Sequence, residues 1–331
     1  MRIPWIKMLP WMITIGIFAI IFSRIPLPEV IAALRQVRLW PYVALMAPYS
    51  LIYCLIDSFV LTRAIHWFHR PVPYHRLLPV RVSSYILSLL NPGLGQGGVA
   101  FYVHRRENIP FLALAGTMLF LIVLEVCQLA LYAAIGIVAF YSHLIAAFAP
   151  FYILFSAIIG LGLWFIHRGA EPLEKLAARF GRRLPLSDAS LLATLRQARW
   201  RHYLLTLLYK APNFLFAVVL HYFALQLFGV HVPLERLFAL LPVVFLVASL
   251  PVTVAHLGTS QAAWLYFFSA YGQESQILAY SLVAHVTFMV LNSLIGLAFL
   301  PLALRDLSVA DAALPASDVP HPTQTPEAPE A

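Results

Sequence analysis

Residues that could bind an anion are concentrated at two interruptions of otherwise apolar sequence. The first, residues 87–98, reads L-S-L-L-N-P-G-L-G-Q-G-G and holds four glycines and a proline within seven residues. The second, residues 249–261, reads S-L-P-V-T-V-A-H-L-G-T-S-Q. A helix that restarts after such an interruption begins with unpaired backbone N–H groups and the positive end of its dipole. Both features favour an anion, most simply a phosphate.

The small and polar residues of the two interruptions are the expected ligand contacts. They are Asn91, Gly93, Gly95, Gln96, Gly97, Gly98, His256, Gly258, Thr259, Ser260 and Gln261. We expect the first return helix to start after Gly97 and Gly98, and the second near Ser260, with Thr259 or Ser260 as its N-cap. Close helix packing is the alternative role for the glycines, and a structural hydrogen bond is the default role for His256.

The composition identifies an integral membrane protein. Of 331 residues, 61% are hydrophobic and 11% are charged, whereas about 25% of an ordinary soluble domain is charged. Apolar runs of about 20 residues can cross the bilayer as helices. We predict six such spans, at residues 9–23, 41–62, 113–140, 144–166, 203–229 and 276–301.

Three of the charged residues within or beside these apolar segments are candidates for the site. They are Arg81, Glu125 and Lys210. Intramembrane acids are costly and usually face an interior or a cavity. For Glu125, a structural ion pair with Arg81 or Lys210 and a direct role in transport both remain open. For Lys210, extension of the ammonium group to the membrane surface is a further alternative.

The distribution of positive charge predicts the topology. The net charge is +8, but eight Lys and Arg residues are concentrated between residues 168 and 201, in a loop joining two spans. Such loops mark the cytoplasmic side, which favours contact with anionic lipid and argues against a nucleic-acid partner. Fixing this loop inside places both termini in the cytoplasm.

The same topology gives each interrupted segment two ends on one side of the membrane. Residues 77–108 would enter the membrane from the cytoplasm and return to the same side, with half-helices at 79–90 and 97–107. Residues 237–272 would enter from the outside and return there. Paired broken segments of this kind indicate an inverted-repeat transporter. The predicted fold is therefore an all-α polytopic bundle of six spans and two opposed re-entrant hairpins.

Two segments lie outside this bundle. Loop 24–39 carries Val30, Ile31, Leu34 and Val37 on one helical face, which predicts an amphipathic interfacial helix. The membrane domain is predicted to cover residues 1–304. Residues 305–331 form an acidic tail rich in proline and alanine that we expect to be disordered.

Both interruptions resemble motifs of a known family. S-Y-I-L-S-L-L-N-P-G-L-G-Q-G-G-V-A-F-Y-V-H-R-R, followed by a span carrying Glu125, resembles the first motif block of the lysylphosphatidylglycerol synthase transmembrane (flippase-like) family. L-P-V-T-V-A-H-L-G-T-S-Q-A-A-W-L-Y-F-F resembles the second. The resemblance spans roughly residues 10–301 and implies a prokaryotic multi-pass protein that moves or presents a lipid. Gln96 and Gln261 stand where the family often has an acidic residue, which puts a role for such an acid in cation or proton handling in doubt.

The predicted function is a lipid flippase or lipid-handling transporter of the cytoplasmic membrane. Its substrate would carry a phosphate-bearing head group, as in a phospholipid, an aminoacyl-phospholipid or a polyprenyl phosphate or sugar. We expect no catalytic residues, cofactor or metal, and no aminoacyltransferase activity. One alternative is a polyprenyl-diphosphate phosphatase-like enzyme, although neither interruption contains a Ser-Arg pair or clustered acids. Another is a scaffold for a glycosyltransferase or a lipid-modifying partner.

Overall fold

The elements that position the charged residues are all helices. The computed structural model describes residues 8–142, 145–166, 190–249, 253 and 256–312, and within these ranges the chain contains no strand. The helices are α1 (Leu9–Arg24), α2 (Leu27–Gln36), α3 (Leu39–Phe68), α4 (Tyr74–Leu90), α5 (Pro92–Glu107), α6 (Phe111–Phe140), α7 (Ile145–Trp164), α8 (Ser190–Gln197), α9 (Trp200–Leu227), α10 (Leu234–Ser249), α11 (Thr259–Phe268) and α12 (Glu274–Ala312). The predicted all-α class is confirmed.

Among the described residues, four single helices are long and apolar enough to cross a membrane. They are α3, α6, α9 and the Glu274–Arg305 part of α12, and they coincide with four of the predicted spans. Helix α7, at the predicted span 144–166, is shorter, with 20 residues. α12 continues to Ala312, into the predicted tail. The rest of the tail, and most of the basic loop, lie outside the described residues.

The first predicted span is a helix followed by a sharp bend. α1 and α2 meet at 80°, and the chain between them consists of Ile25, in an extended conformation, and Pro26. Helix α2 lies within the predicted amphipathic segment and packs on α12, with Val30 and Ala33 buried. Ile31 was expected on its apolar face but is exposed. The bend follows from proline, which cannot continue the hydrogen-bond ladder of α1.

The first interruption is shorter than predicted. α4 ends at Leu90 and α5 begins at Pro92, so that Asn91 alone separates them. The Asn91 side chain accepts the N–H of Gly93 at 2.7 Å, which caps α5. The expectation that α5 starts after Gly97 and Gly98 was therefore wrong, because proline at the first helical position and an asparagine cap already suffice to start a helix.

The two helices around this interruption are also longer than the predicted half-spans. α4 has 17 residues and α5 has 16, which correspond to about 26 and 24 Å of helix. They pack against each other, and two glycines allow this contact. A Cβ atom on Gly95 would lie 2.0 Å from Ser88 Oγ, and one on Gly98 would lie 2.7 Å from Leu87 Cδ1.

The second interruption separates α10 from α11. Gly258 is the N-cap of α11, with φ +92°, and its N–H donates to Gln261 Oε1 at 2.7 Å. The predicted N-caps, Thr259 and Ser260, are instead the first two helical residues. Glycine takes the cap position because it adopts positive φ without steric cost. How both interruptions lie relative to the bilayer, and whether they form an inverted repeat, stays a prediction.

Buried apolar side chains form separate clusters, of which two join many helices. The larger core joins α1, α2, the first part of α3, α9, α10, α11 and the first part of α12. A smaller one joins the second half of α3 to α4, α5 and the start of α6. α12 approaches α4 so closely that a Cβ on Gly296 would lie 2.7 Å from the Val82 oxygen. The charged side chains lie where α3, α4, α6 and α9 meet.

Candidate functional site

Two ion pairs inside the helical bundle form the candidate site. Arg81 Nε of α4 lies 2.6 Å from Asp57 Oδ2 of α3, and Lys210 Nζ of α9 lies 2.9 Å from Glu125 Oε2 of α6. Four helices each contribute one charge. Sequence analysis left open whether Glu125 pairs with Arg81 or Lys210, and its partner is Lys210.

The depth of the site follows from the position of its residues along the long helices. Glu125 is central in α6, with about 21 Å of helix before it. Asp57 and Lys210 also lie well inside membrane-length helices. If α6 crosses the bilayer, the Glu125–Lys210 pair lies near the midplane, where transporters bind substrates and coupling ions.

Neighbouring side chains hold the Asp57–Arg81 pair in a fixed geometry. The Tyr85 hydroxyl donates to Asp57 Oδ2 at 2.5 Å, and the Arg81 guanidinium lies over the Tyr85 ring. Arg81 Nη1 donates to Gln96 Oε1 of α5 at 3.3 Å. Arg81 and Tyr85 share a face of α4 because they are four residues apart. The pair therefore links α3, α4 and α5.

The second pair is asymmetric in its exposure. The Lys210 side chain is 9% exposed and that of Glu125 is 53% exposed. The Lys210 ammonium also donates to the Leu121 carbonyl at 3.4 Å. Lys210 therefore points into the bundle and does not reach for the membrane surface. The reason is that Glu125 and a backbone carbonyl supply its hydrogen bonds at depth.

Both pairs line one small cavity. The centre of a water molecule can occupy a volume of about 20 Å³ within it. This is room for about one water molecule and too little for a lipid head group. The lining residues are Asp57, Leu61, Arg81, Gln96, Met118, Leu121, Ile122, Glu125 and Lys210. A ligand as large as a head group would fit only if the cavity widened.

Four of the predicted site residues meet in this cavity, and the others lie elsewhere. Arg81, Gln96, Glu125 and Lys210 line it. Asn91 and Gly93 are exposed at the α4–α5 turn, whereas Gly95, Gly97 and Gly98 lie along α5. Gly95 and Gly98 face α4, and a Cβ on Gly97 would meet no atom within 4 Å.

The residues of the second interruption form a separate cluster. The hydroxyls of Thr253 and Thr259 lie 3.0 Å apart, and the Thr259 hydroxyl also donates to the His256 carbonyl. Gly258 faces Ile17 of α1, with a Cβ contact at 3.4 Å. α11 packs on α1, α10 and α12, whereas α5 packs on α4 and α6. Within the described residues, the predicted contacts of the second interruption therefore do not line the cavity. They are His256, Gly258, Thr259, Ser260 and Gln261.

Sequence analysis missed Asp57 and Tyr85. Asp57 is the only acidic residue between residues 39 and 68, so the high cost of intramembrane acids was a sufficient signal for it. Tyr85 carried no such signal, because tyrosine is common in apolar helices and its role depends on the neighbouring aspartate.

The cavity presents charged side chains of both signs, Asp57 and Glu125 beside Arg81 and Lys210, and no serine, threonine, cysteine or histidine lines it. In the part of the chain that the structure describes, no three His, Cys, Asp or Glu residues are grouped to hold a metal ion.

The comparisons with known proteins agree with the motifs at the two interruptions. The family model described as lysylphosphatidylglycerol synthase TM region matches residues 8–296 and so confirms the resemblance. No curated protein and no solved structure gives a significant match to the chain.

Proposed function

Because the chain belongs to the lysylphosphatidylglycerol synthase transmembrane family, a family consistent with lipid handling, we propose that it is a lipid transporter. It carries a phosphate-bearing head group across the cytoplasmic membrane of a prokaryote, with both termini inside. The observation that carries the proposal is the pair of buried cations, Arg81 and Lys210, in one cavity at the depth of mid-helix.

The cations have unused capacity to bind an anion. A guanidinium has five N–H donors, and Arg81 uses Nε on Asp57 and Nη1 on Gln96. Arginine binds phosphate in a bidentate manner, and lysine binds it as a point charge. A phosphate between Arg81 and Lys210 would therefore receive donors from two sides.

The mouth of the cavity suits a lipid that enters sideways. Glu125 is half exposed at the centre of α6, and its neighbour Ile122 is also exposed. A polar opening bordered by apolar surface allows acyl or prenyl chains to stay in the bilayer while the head group enters the cavity. A soluble substrate would need an opening toward water.

Transport requires the cavity to widen, and α5 is the element suited to deform. Its first turns read P-G-L-G-Q-G-G, and each glycine costs a helix about 1 kcal/mol relative to alanine. Gln96, in the same turns, contacts Arg81 at 3.3 Å. Movement of α5 would therefore release one donor of Arg81 and enlarge the cavity at the same time.

Reconstitution tests this function directly. The purified protein is placed in phosphatidylcholine vesicles with a trace of tail-labelled phosphatidylglycerol or polyprenyl phosphate, and dithionite bleaches the outer leaflet. We expect the protein to expose label from the inner leaflet, and Arg81→Gln to abolish this effect. Arg70→Gln is a matched control, because Arg70 pairs with Glu107 outside the cavity.

Two results would contradict the proposal. One is equal accessibility of both labelled lipids with and without the protein. The other is rapid release of phosphate from polyprenyl diphosphate by the purified protein, which would favour an enzyme.

A further inference from the structure

The cavity is balanced in charge before any substrate enters. It holds two carboxylates, Asp57 and Glu125, and two cations, Arg81 and Lys210. An anionic head group would leave it with a net negative charge. An unpaired charge at this depth costs several kcal/mol, so a compensating positive charge must enter as well.

The two carboxylates differ in how firmly they are held. Asp57 is 15% exposed and receives hydrogen bonds from both Arg81 and Tyr85. Glu125 is 53% exposed at the cavity mouth, and its one ion pair is with Lys210. Glu125 is therefore the carboxylate that a phosphate can displace.

We propose that the protein couples lipid movement to a proton, with Glu125 as the proton carrier; this rests on the proposed function. On the loading side, once the cavity has widened and holds water, the Glu125 carboxylate takes one proton from that water and becomes a neutral acid. The Lys210 ammonium keeps its protons and transfers its hydrogen bond from Glu125 Oε2 to a phosphate oxygen. On the unloading side the phosphate leaves, Glu125 releases its proton to water, and the ion pair forms again.

This cycle keeps the cavity neutral at every step. One monoanionic phosphate enters together with one proton, so no net charge crosses the membrane. The alternative, movement of the anion alone, would leave two carboxylates and a phosphate facing two cations in a medium of low dielectric constant.

Glu125 is the group in this region suited to change its charge. The nearby side chains Tyr49, Tyr53, Asp57, Arg81 and Lys210 come from α3, α4 and α9. The tyrosines are neutral near pH 7, the arginine and lysine are cationic, and Asp57 is held by Arg81. Helices α5, α8 and α10 also pack on α6. Their charged and titratable residues are Tyr102, His104, Arg105, Arg106, Glu107, Arg196, Glu235 and Arg236.

A pH gradient across vesicles tests the coupling. Phosphatidylcholine vesicles with tail-labelled phosphatidylglycerol are prepared with an interior one unit more alkaline than the outside, and valinomycin with potassium holds the voltage at zero. For one proton per lipid, label accumulates in the inner leaflet up to about tenfold, the ratio of proton concentrations. A pH dye inside the vesicles should report acidification together with this movement.

Variants at Glu125 assign the proton to its side chain. We expect Glu125→Gln to move the label without accumulating it, because glutamine mimics the neutral acid and cannot release a proton. Since this variant leaves Lys210 without its counter-ion, Glu125→Asp serves as a second variant that keeps an acid and should keep the accumulation. Glu107→Gln is the matched control outside the cavity, and its accumulation should equal that of the wild type.

The outcomes separate coupling from transport. Label that equilibrates between the leaflets without accumulating in the wild type would overturn the coupling and leave the transporter intact. Accumulation by Glu125→Gln equal to that of the wild type would overturn the role of Glu125. Failure of the wild type to move any label would overturn the proposed function, and the coupling with it.

Discussion

Lys210 and Glu125 form an ion pair at 2.9 Å in which the cation is buried and the acid is half exposed. Such a pair is easier to open from the side of the acid, because Glu125 is half exposed while Lys210 is buried. The pair links α6 and α9, two helices of membrane length. Opening it leaves a buried ammonium group that needs another anion.

Removal of the Lys210 charge should weaken lipid transport strongly. Loss of a hydrogen bond to a charged group costs about 1.5–3 kcal/mol, so Lys210→Gln should lower the rate by about 10- to 100-fold. Lys210→Arg keeps the charge and should retain more activity. Rates are measured in vesicles at equal protein content, and unchanged transport by Lys210→Gln would contradict a binding role.

Neutralisation of Asp57 should destabilise the fold more than it changes binding. Asp57→Asn leaves Arg81 as a buried cation without its counter-ion, which typically costs about 3–5 kcal/mol. Tyr85→Phe removes only one hydrogen bond and should cost about 1–3 kcal/mol. Thermal unfolding in detergent measures both. If Asp57→Asn unfolds at the wild-type temperature, the pair does not hold α3 and α4 together.

Gly95 and Gly97 should respond differently to the same substitution. A Cβ on Gly95 would lie 2.0 Å from Ser88 Oγ and 2.9 Å from the Ser84 carbonyl oxygen of α4, whereas one on Gly97 meets no atom within 4 Å. Gly95→Leu should therefore lower the amount of folded protein, and Gly97→Leu should not. Membrane abundance and transport are measured together for both variants. Normal abundance of Gly95→Leu with lost activity would instead favour a ligand-contact role for Gly95.

The His69 contact should make stability depend on pH. His69 Nε2 lies 2.7 Å from the Thr117 hydroxyl, which in turn contacts Thr194 of α8. Burial lowers the pKa of His69 below its usual value of about 6.5. The unfolded chain therefore binds a proton more readily than the folded chain, so stability falls as pH drops through about 6.5.

Thermal unfolding between pH 8 and about 5 measures this effect. In His69→Gln the side chain can still hydrogen-bond but cannot take up a proton, so its curve should be flatter. A wild-type curve as flat as that of the variant would contradict the prediction.

Labelling of single cysteines tests the proposed topology. In a background without Cys54 and Cys127, cysteines at positions 106 and 235 should react from opposite faces of the membrane. The reason is that Arg106 lies in the cationic last turn of α5, whereas Glu235 lies in the first turn of α10, after a short connection without Lys or Arg. Labelling of both from the same face would rule out the proposed topology.

Local sequence was sufficient for features that depend on composition and periodicity. The membrane class, the four long helices and the amphipathic helix α2 could be predicted because burial in lipid selects apolar runs of a set length. The family was also recognisable, because its motifs are contiguous. The start of α5 was mispredicted even though its signal was local. Asn91-Pro92 is a cap followed by a favoured first residue, and it outweighs the low helix propensity of the glycines.

The ion pairs depended on tertiary structure. Glu125 and Lys210 are 85 residues apart, and Asp57 and Arg81 are 24 apart. The sequence alone is compatible with an ion pair between either cation and either acid. Which pairs form depends on how α3, α4, α6 and α9 are rotated and how they cross. The separation of the second interruption from the cavity has the same cause. Packing places Gly258 against Ile17 of α1, and no local pattern encodes which helix covers another.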